Sequence, residues 1–259
     1  MKAKLTKKTK LTKDMFLLSF KADTKFKYKA GQHIVVSFIH EGKETLRPYS
    51  FYSEPSTSPN FELLIKKYRP GIGSVYMTSL KVGDEIKIVK IKGNLYLRNK
   101  NKKNIFLSTG TGVVPMVSMI RTLQNKKSEL YFGCRYKEDI ISFMKIKQKL
   151  SKINVIISKP KKNWSGSKGY VQDNIKTFDK NSDYYICGVP KMVIETEKKL
   201  LSKGVPIKNI HIEGWEKFDK EVDLIHKFGR LNKITNFFVN KLFKHAWNFI
   251  NNKLIIFYE

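Results

Sequence analysis

Cysteine is scarce in this chain of 259 residues, which contains only Cys134 and Cys187. Two thiols so far apart along the sequence cannot supply the four thiolates of a structural zinc site or an iron–sulfur cluster. We therefore predict no metal site. If the function needs an iron–sulfur centre, that centre must lie on another protein.

Long apolar runs are also missing. No stretch of about 18 uncharged apolar residues is present, so the sequence predicts no membrane-spanning helix. The basic start MKAKLTKKTK precedes DMFLLSF, which is too short and too interrupted for the apolar core of a signal peptide. We therefore expect a cytoplasmic protein with reduced thiols.

Acidic residues are few: 22 Asp and Glu stand against 51 Lys and Arg, which gives a formal net charge of +29. Such a charge steers a protein towards nucleic acid, anionic lipid or an acidic protein. A compositionally biased genome produces the same lysine excess, so charge alone does not indicate nucleic-acid binding, and we predict none.

Arginine is rare within this basic set, since only six of the 51 basic residues are arginine. Its rigid fork of donors binds phosphate or carboxylate in a directed way that lysine does not reproduce. Arg47 opens the segment RPYSFYS, where proline, tyrosines and hydroxyls surround it. This segment is a candidate anion-binding strand.

Residues 1–100 contain short apolar segments separated by glycine-containing turns, namely FLLSFKA, HIVVSFI, RPYSFYS, FELLIKKY and EIKIVKI. Short strands at near-regular spacing predict a small antiparallel β-barrel. Strict alternation along RPYSFYS places Arg47 and Tyr49 on one face and Ser50 on the other. Pro48 marks an edge strand, because proline cannot donate a backbone hydrogen bond.

The pattern changes in residues 101–215, where NIFLSTG, ELYFGC, INVIIS and YYICG read as strands. The intervening VPMVSMIRTLQ, IISFMKIKQKLS and PKMVIETEKKLLSKG read as helices, the last ending at a glycine cap. Alternation of strand and helix predicts an α/β domain with a parallel sheet.

Residues 216–259 form a third region. Basic residues interleave there with Ile, Leu and Phe at helical spacing, which predicts a basic amphipathic helical extension. Such an extension is a candidate for peripheral membrane contact, and a helical cap packed on the rest of the chain is the alternative.

The segment STGTGVVPM lies where a predicted strand gives way to a helix. Gly110 and Gly112 allow a ligand to approach the backbone of this turn, and Pro115 suits the first helical turn. The free N–H groups of the helix N-terminus favour a pyrophosphate. A tight turn without a ligand is the competing interpretation of this motif taken alone.

Four motifs in order resemble those of the ferredoxin:NADP reductase superfamily of flavoproteins. RPYS at 47–50 resembles its flavin signature, and GIGSVYMTSLKVGD at 71–84 resembles its flavin-pyrophosphate segment. GTGVVPM resembles its nicotinamide-nucleotide loop, and ICGVPKMV at 186–193 resembles the segment beside the nicotinamide. Together the motifs cover about residues 5–215.

The resemblance implies FAD as cofactor, bound by the barrel. By resemblance, Arg47 contacts a flavin phosphate, Tyr49 packs on the ring system and Ser50 lies near flavin N5. The further flavin-binding residues that we predict are Pro48, Lys66, Gly73 and Ser74.

The resemblance also implies a nicotinamide nucleotide on the α/β domain. The predicted nucleotide-binding residues are Gly110, Thr111, Gly112, Pro115, Arg135, Ser158, Lys159, Cys187 and Gly188. NADPH is expected in preference to NADH, because cations and no acid follow the strand INVII, whereas NAD binders place an acid there. Against this, the glycine–arginine pair of the family is here Gly169 and Tyr170.

Some members of the family end in a glutamate, one residue and an aromatic, and HIEGW repeats that spacing. Glu213 is then an acid near the site and Trp215 an aromatic cover for the flavin, although the chain continues beyond them. Ordinary packing is an equal alternative for Trp215. Cys187 is expected beside the nicotinamide and not as a nucleophile, since no histidine base accompanies it in the motif.

The predicted function is an FAD-dependent reductase that takes hydride from NADPH and passes single electrons to a ferredoxin or flavodoxin. A reductase component of an oxygenase and an NAD(P)H:flavin reductase are alternatives on the same fold. A basic protein that binds membrane surfaces or nucleic acid without redox activity is the alternative from another class.

Overall fold

Alternating apolar residues build the first of two sheets in the computed structural model, which describes residues 1–68, 71–141 and 143–213. The strands of this antiparallel sheet are β1 (Lys2–Lys10), β2 (Met15–Ala22), β3 (His33–His40), β4 (Lys43–Ser50), β5 (Asn60–Lys66) and β6 (Glu85–Lys92). Their order is β4-β3-β6-β1-β2-β5. A bridge between Phe51 and Leu63 joins the two edges and closes the sheet into a barrel.

Residues that alternate with exposed lysines fill the barrel, because successive side chains on a strand point to opposite faces. Ala3 and Leu5 of β1 are buried between exposed lysines, and Phe20 stacks on Phe61 with ring centroids 5.3 Å apart. The helix α1 (Ile72–Ser79) follows β5. Lys8 Nζ donates to the carbonyls of Thr78 and Leu80 at 2.6 and 2.9 Å, which caps the C-terminal end of α1.

The second sheet is parallel, as strand–helix alternation predicts. Its strands are β7 (Asn104–Thr109), β8 (Glu129–Cys134), β9 (Lys152–Ile157), β10 (Ser167–Lys168), β11 (Asp183–Cys187) and β12 (Ile210–Glu213), in the order β10-β9-β8-β7-β11-β12. The helices of this half are α2 (Val113–Thr122), α3 (Met144–Lys147), α4 (Val171–Asn174) and α5 (Pro190–Ser202). Gly204 has a positive φ of 78° just after α5, as expected for a glycine that ends a helix.

The barrel lobe (β1 to β6 with α1) and the α/β lobe (β7 to β12 with α2 to α5) belong to one compact unit, Met1–Glu213. Met15, Tyr52 and Leu64 of the barrel lobe are buried in the same apolar cluster as Phe106 and Met119 of the α/β lobe. Burial of apolar surface in a common core holds the two lobes in one arrangement.

The predicted fold class of a barrel followed by a parallel α/β domain is confirmed. The helix predicted over residues 140–151 is wrong in extent, because only Met144–Lys147 is helical there. Ile140 is extended (φ −72°, ψ 121°), and Phe143 packs edge-on against Phe132 with ring centroids 5.3 Å apart. Two adjacent β-branched residues, Ile140 and Ile141, favour extended backbone at this point.

The strands β1 and β12 were not predicted from the sequence. The domain boundaries at residues 100 and 215 stay predictions, and the extension over 216–259 lies outside the described residues. Within the part of the chain described here, no helix is both long and apolar enough to span a membrane.

Candidate functional site

The side chains of the RPYS segment meet the first turn of α1. A Cβ placed on Gly73 would lie 2.6 Å from Tyr49 Oη and 2.8 Å from Arg47 Cγ, so no side chain fits at position 73. This contact puts Arg47 and Tyr49 on the same face of β4, as alternation predicts. β4 is an edge strand of the sheet. Pro48 is tolerated there because its missing backbone N–H leaves no carbonyl of a neighbouring strand without a donor.

This corner of the barrel lobe fits a phosphate-bearing aromatic cofactor. No side chain caps α1, which leaves the N–H groups of its first turn as anion donors. Arg47 Nη1 donates to the Leu46 carbonyl at 2.8 Å, and its guanidinium forms no ion pair with any described residue. Tyr49 Oη is buried and has no hydrogen-bond partner among the residues that the structure describes. Burial raises the pKa of the Tyr49 phenol, so it stays a neutral donor.

Ser74 and Lys66, two other predicted flavin-binding residues, have partners within the protein. Ser74 Oγ lies 2.9 Å from the Gly71 carbonyl, and it accepts from the Tyr68 N–H at 3.0 Å, which ties down the turn before α1. Lys66 Nζ lies 2.9 Å from Asp139 Oδ1 of the α/β lobe. A direct contact of either side chain with the cofactor stays a prediction.

A second carboxylate also neutralises Lys66, since Asp14 Oδ2 lies 3.5 Å from its Nζ. Burial acts to lower the pKa of the Lys66 ammonium, but the hydrogen bond and charge of Asp139, with Asp14, outweigh it and raise that pKa. Lys66 therefore stays charged and links the two lobes. Asp139 was not visible as its partner in the sequence, because 73 residues separate them.

The two glycine loops of the α/β lobe lie against each other. A Cβ on Gly112 would overlap the Cys187 carbonyl, and a Cβ on Gly188 would overlap Thr109 Oγ1. The Val189 N–H donates to Thr109 Oγ1 at 3.0 Å. Gly110 has a φ of 54°, in the left-handed region that glycine favours. These contacts bring the predicted nucleotide residues Gly110, Gly112, Cys187 and Gly188 together at the carboxyl ends of β7 and β11.

Thr111 lies between the two glycines of the first loop, in the short 3₁₀ turn Gly110–Gly112. Pro115 is buried as the third residue of α2, within the first turn, where proline is tolerated because the N–H groups there have no partner inside the helix. Their part in nucleotide binding stays a prediction.

A chain of neighbours joins the RPYS segment to the glycine loops. Ser50 is opposite His33 in the β3–β4 pairing, and His33 Nδ1 lies 3.4 Å from Glu213 Oε1. Glu213 is in turn opposite Cys187 in the pairing of β11 with β12. These neighbours lead from Ser50 of the barrel lobe through Glu213 to Cys187 of the α/β lobe, and we call this line of residues between the lobes the crevice. Trp215 lies outside the described residues.

His33 was missed in the sequence, although a signal for it exists. The turn Glu41–Gly42 joins β3 to β4, and counting backwards from a two-residue turn pairs residue 33 with residue 50. The partner Glu213 could not be found this way, because the other lobe supplies it.

The α/β lobe contains a cavity of about 220 Å³ at the carboxyl ends of β8 and β9. Its lining consists of Tyr136, Lys137, Glu138, Ile157, Lys159, Lys161, Asn163 and Trp164. Glu138 Oε1 is 2.7 Å from Lys161 Nζ, so the single acid of the lining is already paired. The predicted residues Arg135 and Ser158 are next in sequence to residues of this lining. The backbone N–H groups of Ser158 and Lys159 donate to the carbonyls of Cys134 and Arg135.

Comparison with known proteins agrees with this geometry. Residues 2–96 match the oxidoreductase FAD-binding domain family, and residues 106–198 match the oxidoreductase NAD-binding domain family. The chain is 31% identical over 222 residues to ferredoxin–NADP reductase B of Sorangium cellulosum, covering 77% of this chain and 91% of that protein. It is 30% identical over 226 residues to NADH-cytochrome b5 reductase 1 of Laccaria bicolor, covering 79% and 73% of the two.

Solved structures share the fold. A ferredoxin NADP+ reductase from Neisseria gonorrhoeae with bound FAD and NADP matches with a TM-score of 0.70 at 19% identity, covering 83% of this chain and 98% of that one. The ferredoxin reductase in carbazole 1,9a-dioxygenase matches with a TM-score of 0.74 at 22% identity, covering 83% and 68%.

The chain belongs to the ferredoxin:NADP reductase superfamily. It is an NAD(P)H-dependent flavoprotein oxidoreductase that binds FAD and a pyridine nucleotide. FAD is fitted by the uncapped helix α1, the Arg47 guanidinium, which forms no ion pair in the described ranges, and the Tyr49 hydroxyl, which has no hydrogen-bond partner there. The two glycine loops of the α/β lobe, which lie against each other, fit the pyridine nucleotide.

Proposed function

We propose that this enzyme oxidises NADPH and reduces an acidic one-electron carrier, a ferredoxin or a flavodoxin. The choice of NADPH over NADH rests on the cavity at the carboxyl ends of β8 and β9. Its lining contains lysines, a tryptophan and a single acid, Glu138, which is already paired with Lys161. An NAD-specific site places a free carboxylate at the ribose 2′-hydroxyl, whereas a 2′-phosphate needs cations there.

On the barrel lobe, we assign phosphate binding to Arg47 and the first turn of α1, and ring packing to Tyr49. Gly73 permits these side chains to approach the helix. When bound, FAD supplies the chemistry that connects a two-electron donor to one-electron acceptors. Arg47 contributes a charged fork and α1 contributes N–H donors, both of which suit a pyrophosphate.

On the α/β lobe, we assign the nucleotide pyrophosphate to the loop that contains Gly110, Thr111 and Gly112. The adjoining Cys187 and Gly188 then lie beside the nicotinamide, because their backbone packs on Gly112 and Thr109. Ser50 supplies a neutral hydroxyl at the crevice. Glu213 Oε1 and His33 Nδ1 lie 3.4 Å apart, and His33 is opposite Ser50 in the β3–β4 pairing, so we assign both polar groups to this part of the crevice.

A charge reversal at Lys159 tests the choice of nucleotide. Lys159→Glu removes a cation of the cavity and adds a carboxylate, as in NAD binders. A charge-assisted hydrogen bond is worth about 1.5–3 kcal/mol, so kcat/KM with NADPH should fall roughly 10- to 100-fold while kcat/KM with NADH changes little. Steady-state kinetics with both nucleotides measure this.

Lys162→Glu is the matched control, since Lys162 is exposed nearby but does not line the cavity. It should change both rates by less than about twofold, because surface charges are well screened. A wild-type enzyme that uses NADH as well as NADPH contradicts the proposed 2′-phosphate site. Use of NADH is the alternative that the relatives named NADH-cytochrome b5 reductase suggest.

The carrier is tested by comparing NADPH-driven reduction of ferredoxin, flavodoxin, cytochrome b5 and free flavin. Support for a ferredoxin comes from the name of the Sorangium relative and from the formal charge of +29. Reduction of free flavin alone would contradict the proposal. Protein that purifies without yellow colour and takes up no FAD would contradict the cofactor assignment as well.

A further inference from the structure

The segment that precedes β3 exposes a row of lysines. Lys25, Lys27 and Lys29 are exposed, while Phe26 and Tyr28 between them turn inwards. The Tyr28 ring stacks on Phe51 with centroids 3.8 Å apart, and its hydroxyl donates to the Ser53 carbonyl at 3.2 Å. The buried aromatic rings therefore fix which way these three lysines point, and we call them the lysine ridge.

The charge of the lysine ridge is not neutralised within the protein. None of its three ammonium groups lies within ion-pair distance of a carboxylate in the described ranges. The nearest acid along the chain, Asp23, accepts a hydrogen bond from the Lys2 N–H at 3.0 Å, which lowers the pKa of its carboxyl. The ridge is thus a fixed row of positive charge that faces solvent.

The ridge continues into the connection between the lobes. Lys29 Nζ lies 4.2 Å from the centroid of the Tyr96 ring, and the Arg98 guanidinium lies 3.7 Å from it. Such distances are typical of cation–π contacts, which position both cations. The Leu97 N–H donates to the Ala30 carbonyl at 3.0 Å, so this part of the connection is fixed to the end of the ridge.

The ridge also adjoins the proposed redox crevice. Phe51, on which Tyr28 stacks, follows Ser50 directly, and its N–H donates to the Gln32 carbonyl at 3.1 Å. Gln32 precedes His33, the residue opposite Ser50. A protein bound on the lysine ridge would therefore lie beside the edge of the barrel lobe that holds Ser50.

We propose that the lysine ridge, with Arg98, is the docking surface for the acidic electron carrier. This inference rests on the proposed function and adds the place where the carrier binds. Complementary charge around a redox crevice accelerates association and sets orientation. Three exposed lysines that pair with no carboxylate in the described ranges offer that complementarity next to Ser50.

The chemistry of the ridge favours a protein over nucleic acid or lipid. Single-stranded nucleic acid needs an open aromatic face for base stacking, but Phe26 and Tyr28 turn inwards and cations flank Tyr96. Interfacial lipid binding is strongest with apolar side chains beside the cations. Residues 21–32 and 92–103 contribute none of the exposed large hydrophobic side chains.

The experiment compares two double charge reversals of the full-length, FAD-loaded protein. Lys25→Glu/Lys27→Glu alters the ridge and spares Lys29, which contacts Tyr96. Lys126→Glu/Lys127→Glu changes the net charge equally at exposed lysines between α2 and β8, neither of them in an ion pair there. Titration calorimetry measures the Kd for a [2Fe–2S] ferredoxin and for a flavodoxin, and vesicles containing phosphatidylserine test lipid binding.

At an ionic strength of about 0.01 M, the ridge variant should raise the Kd for one or both carriers by about tenfold or more. The control variant should raise it less than about threefold, and about 1 M salt should remove the difference. Reduction of a neutral quinone by NADPH should be the same in all three proteins, because neither pair lies in the crevice.

The ridge assignment is overturned if both variants weaken carrier binding equally, if the ridge variant binds as the wild type does, or if wild type binds neither carrier. Loss of vesicle binding in the ridge variant with carrier binding unchanged also overturns it. A wild-type protein that binds a carrier through the ridge but does not reduce it with NADPH refutes the proposed function and leaves the docking surface in place.

Discussion

At the scale of single residues, Gly73 determines how closely the RPYS segment approaches α1. Alanine normally stabilises a helix relative to glycine, by up to about 1 kcal/mol. Here the added Cβ would lie 2.6 Å from Tyr49 Oη, a distance at which something must move. We expect Gly73→Ala to lower the thermal stability of the FAD-free protein and to weaken FAD binding by about tenfold or more. Calorimetry and flavin fluorescence titration measure the two effects.

Tyr49→Phe provides a specific check on this explanation. Removing the hydroxyl opens space at the point of contact, so the double variant Gly73→Ala/Tyr49→Phe should recover part of the lost thermal stability. No recovery, or a Gly73→Ala protein as stable as the wild type, would show that the contact does not restrict position 73.

The direction in which a side chain points was predictable from the sequence where local periodicity determines it. Alternation placed Arg47 and Tyr49 on one face of β4, and the structure agrees because both contact Gly73. Lys66 differs, since its carboxylate partner Asp139 comes from the other lobe. A contact between residues so far apart in the chain depends on tertiary structure, which no local pattern contains.

At the scale of elements, β11 begins with a buried carboxylate. Asp183 Oδ1 lies 2.7 Å from Lys102 Nζ and 3.8 Å from His211 Nε2. Burial acts to raise the pKa of the Asp183 carboxyl, but the neighbouring His211 and Lys102 outweigh it and lower that pKa below its usual value. The stabilisation is therefore present above the unfolded-state pKa of about 4 and is lost as pH falls through the lower, folded-state pKa.

Asp183→Asn should destabilise the protein at pH 5 by about 2–4 kcal/mol, because Lys102 loses its partner. The difference from wild type should shrink as the pH is lowered below the unfolded-state pKa of about 4 and through the lower, folded-state pKa, because the wild-type carboxylate also becomes protonated. Urea unfolding at several pH values measures this. Glu41→Gln is the control, since the side chain of Glu41 is 85% exposed. A difference that does not vary with pH would exclude the ionised carboxylate as its source.

The helix α2 is joined to β5 by an ion pair between Arg121 Nη1 and Glu62 Oε2 at 2.8 Å. The Arg121 guanidinium also lies 4.5 Å from the centroid of the Tyr52 ring. Arg121→Met should lower the free energy of unfolding by roughly 1–3 kcal/mol, since Glu62 is left without its partner. A double-mutant cycle with Glu62→Gln should show a coupling of about 1 kcal/mol. A coupling of zero would assign the loss to packing on Tyr52.

Elements with a strong apolar pattern were predicted and those without one were missed. β7 and β11 are nearly continuous apolar segments and were identified. In β1 only Ala3 and Leu5 are buried among lysines, so that strand depends on pairing with β2 and β6. The predicted helix at 140–151 failed because Ile140 and Phe143 follow tertiary packing.

At the scale of the whole molecule, the two lobes share a core. Met15 and Leu64 of the barrel lobe pack in the cluster that holds Phe106 and Met119. Ser118 Oγ of α2 donates to the Ser53 carbonyl at 2.6 Å in the same interface. The sequence indicated two lobes by their different patterns, but it could not show that their surfaces merge.

A shared core predicts that the lobes unfold together. Calorimetry of the FAD-loaded protein should show one transition for the two lobes, with equal calorimetric and van't Hoff enthalpies. Leu64→Ala, which opens the interface, should lower its midpoint by several degrees, because it costs about 2–5 kcal/mol. Two separated transitions in the wild type would mean that the lobes are thermodynamically independent.

The contact between Gly112 and the Cys187 carbonyl bears differently on changes of loop length and on changes of the side chain at position 187. The backbone there cannot shift without displacing the neighbouring loop, so we expect an insertion or deletion at position 187 to disturb both loops. The contact uses the main-chain carbonyl of residue 187, so it does not by itself determine which side chain stands there. Divergence in what this crevice accepts is therefore expected to proceed by exchange of that side chain, with loop length conserved.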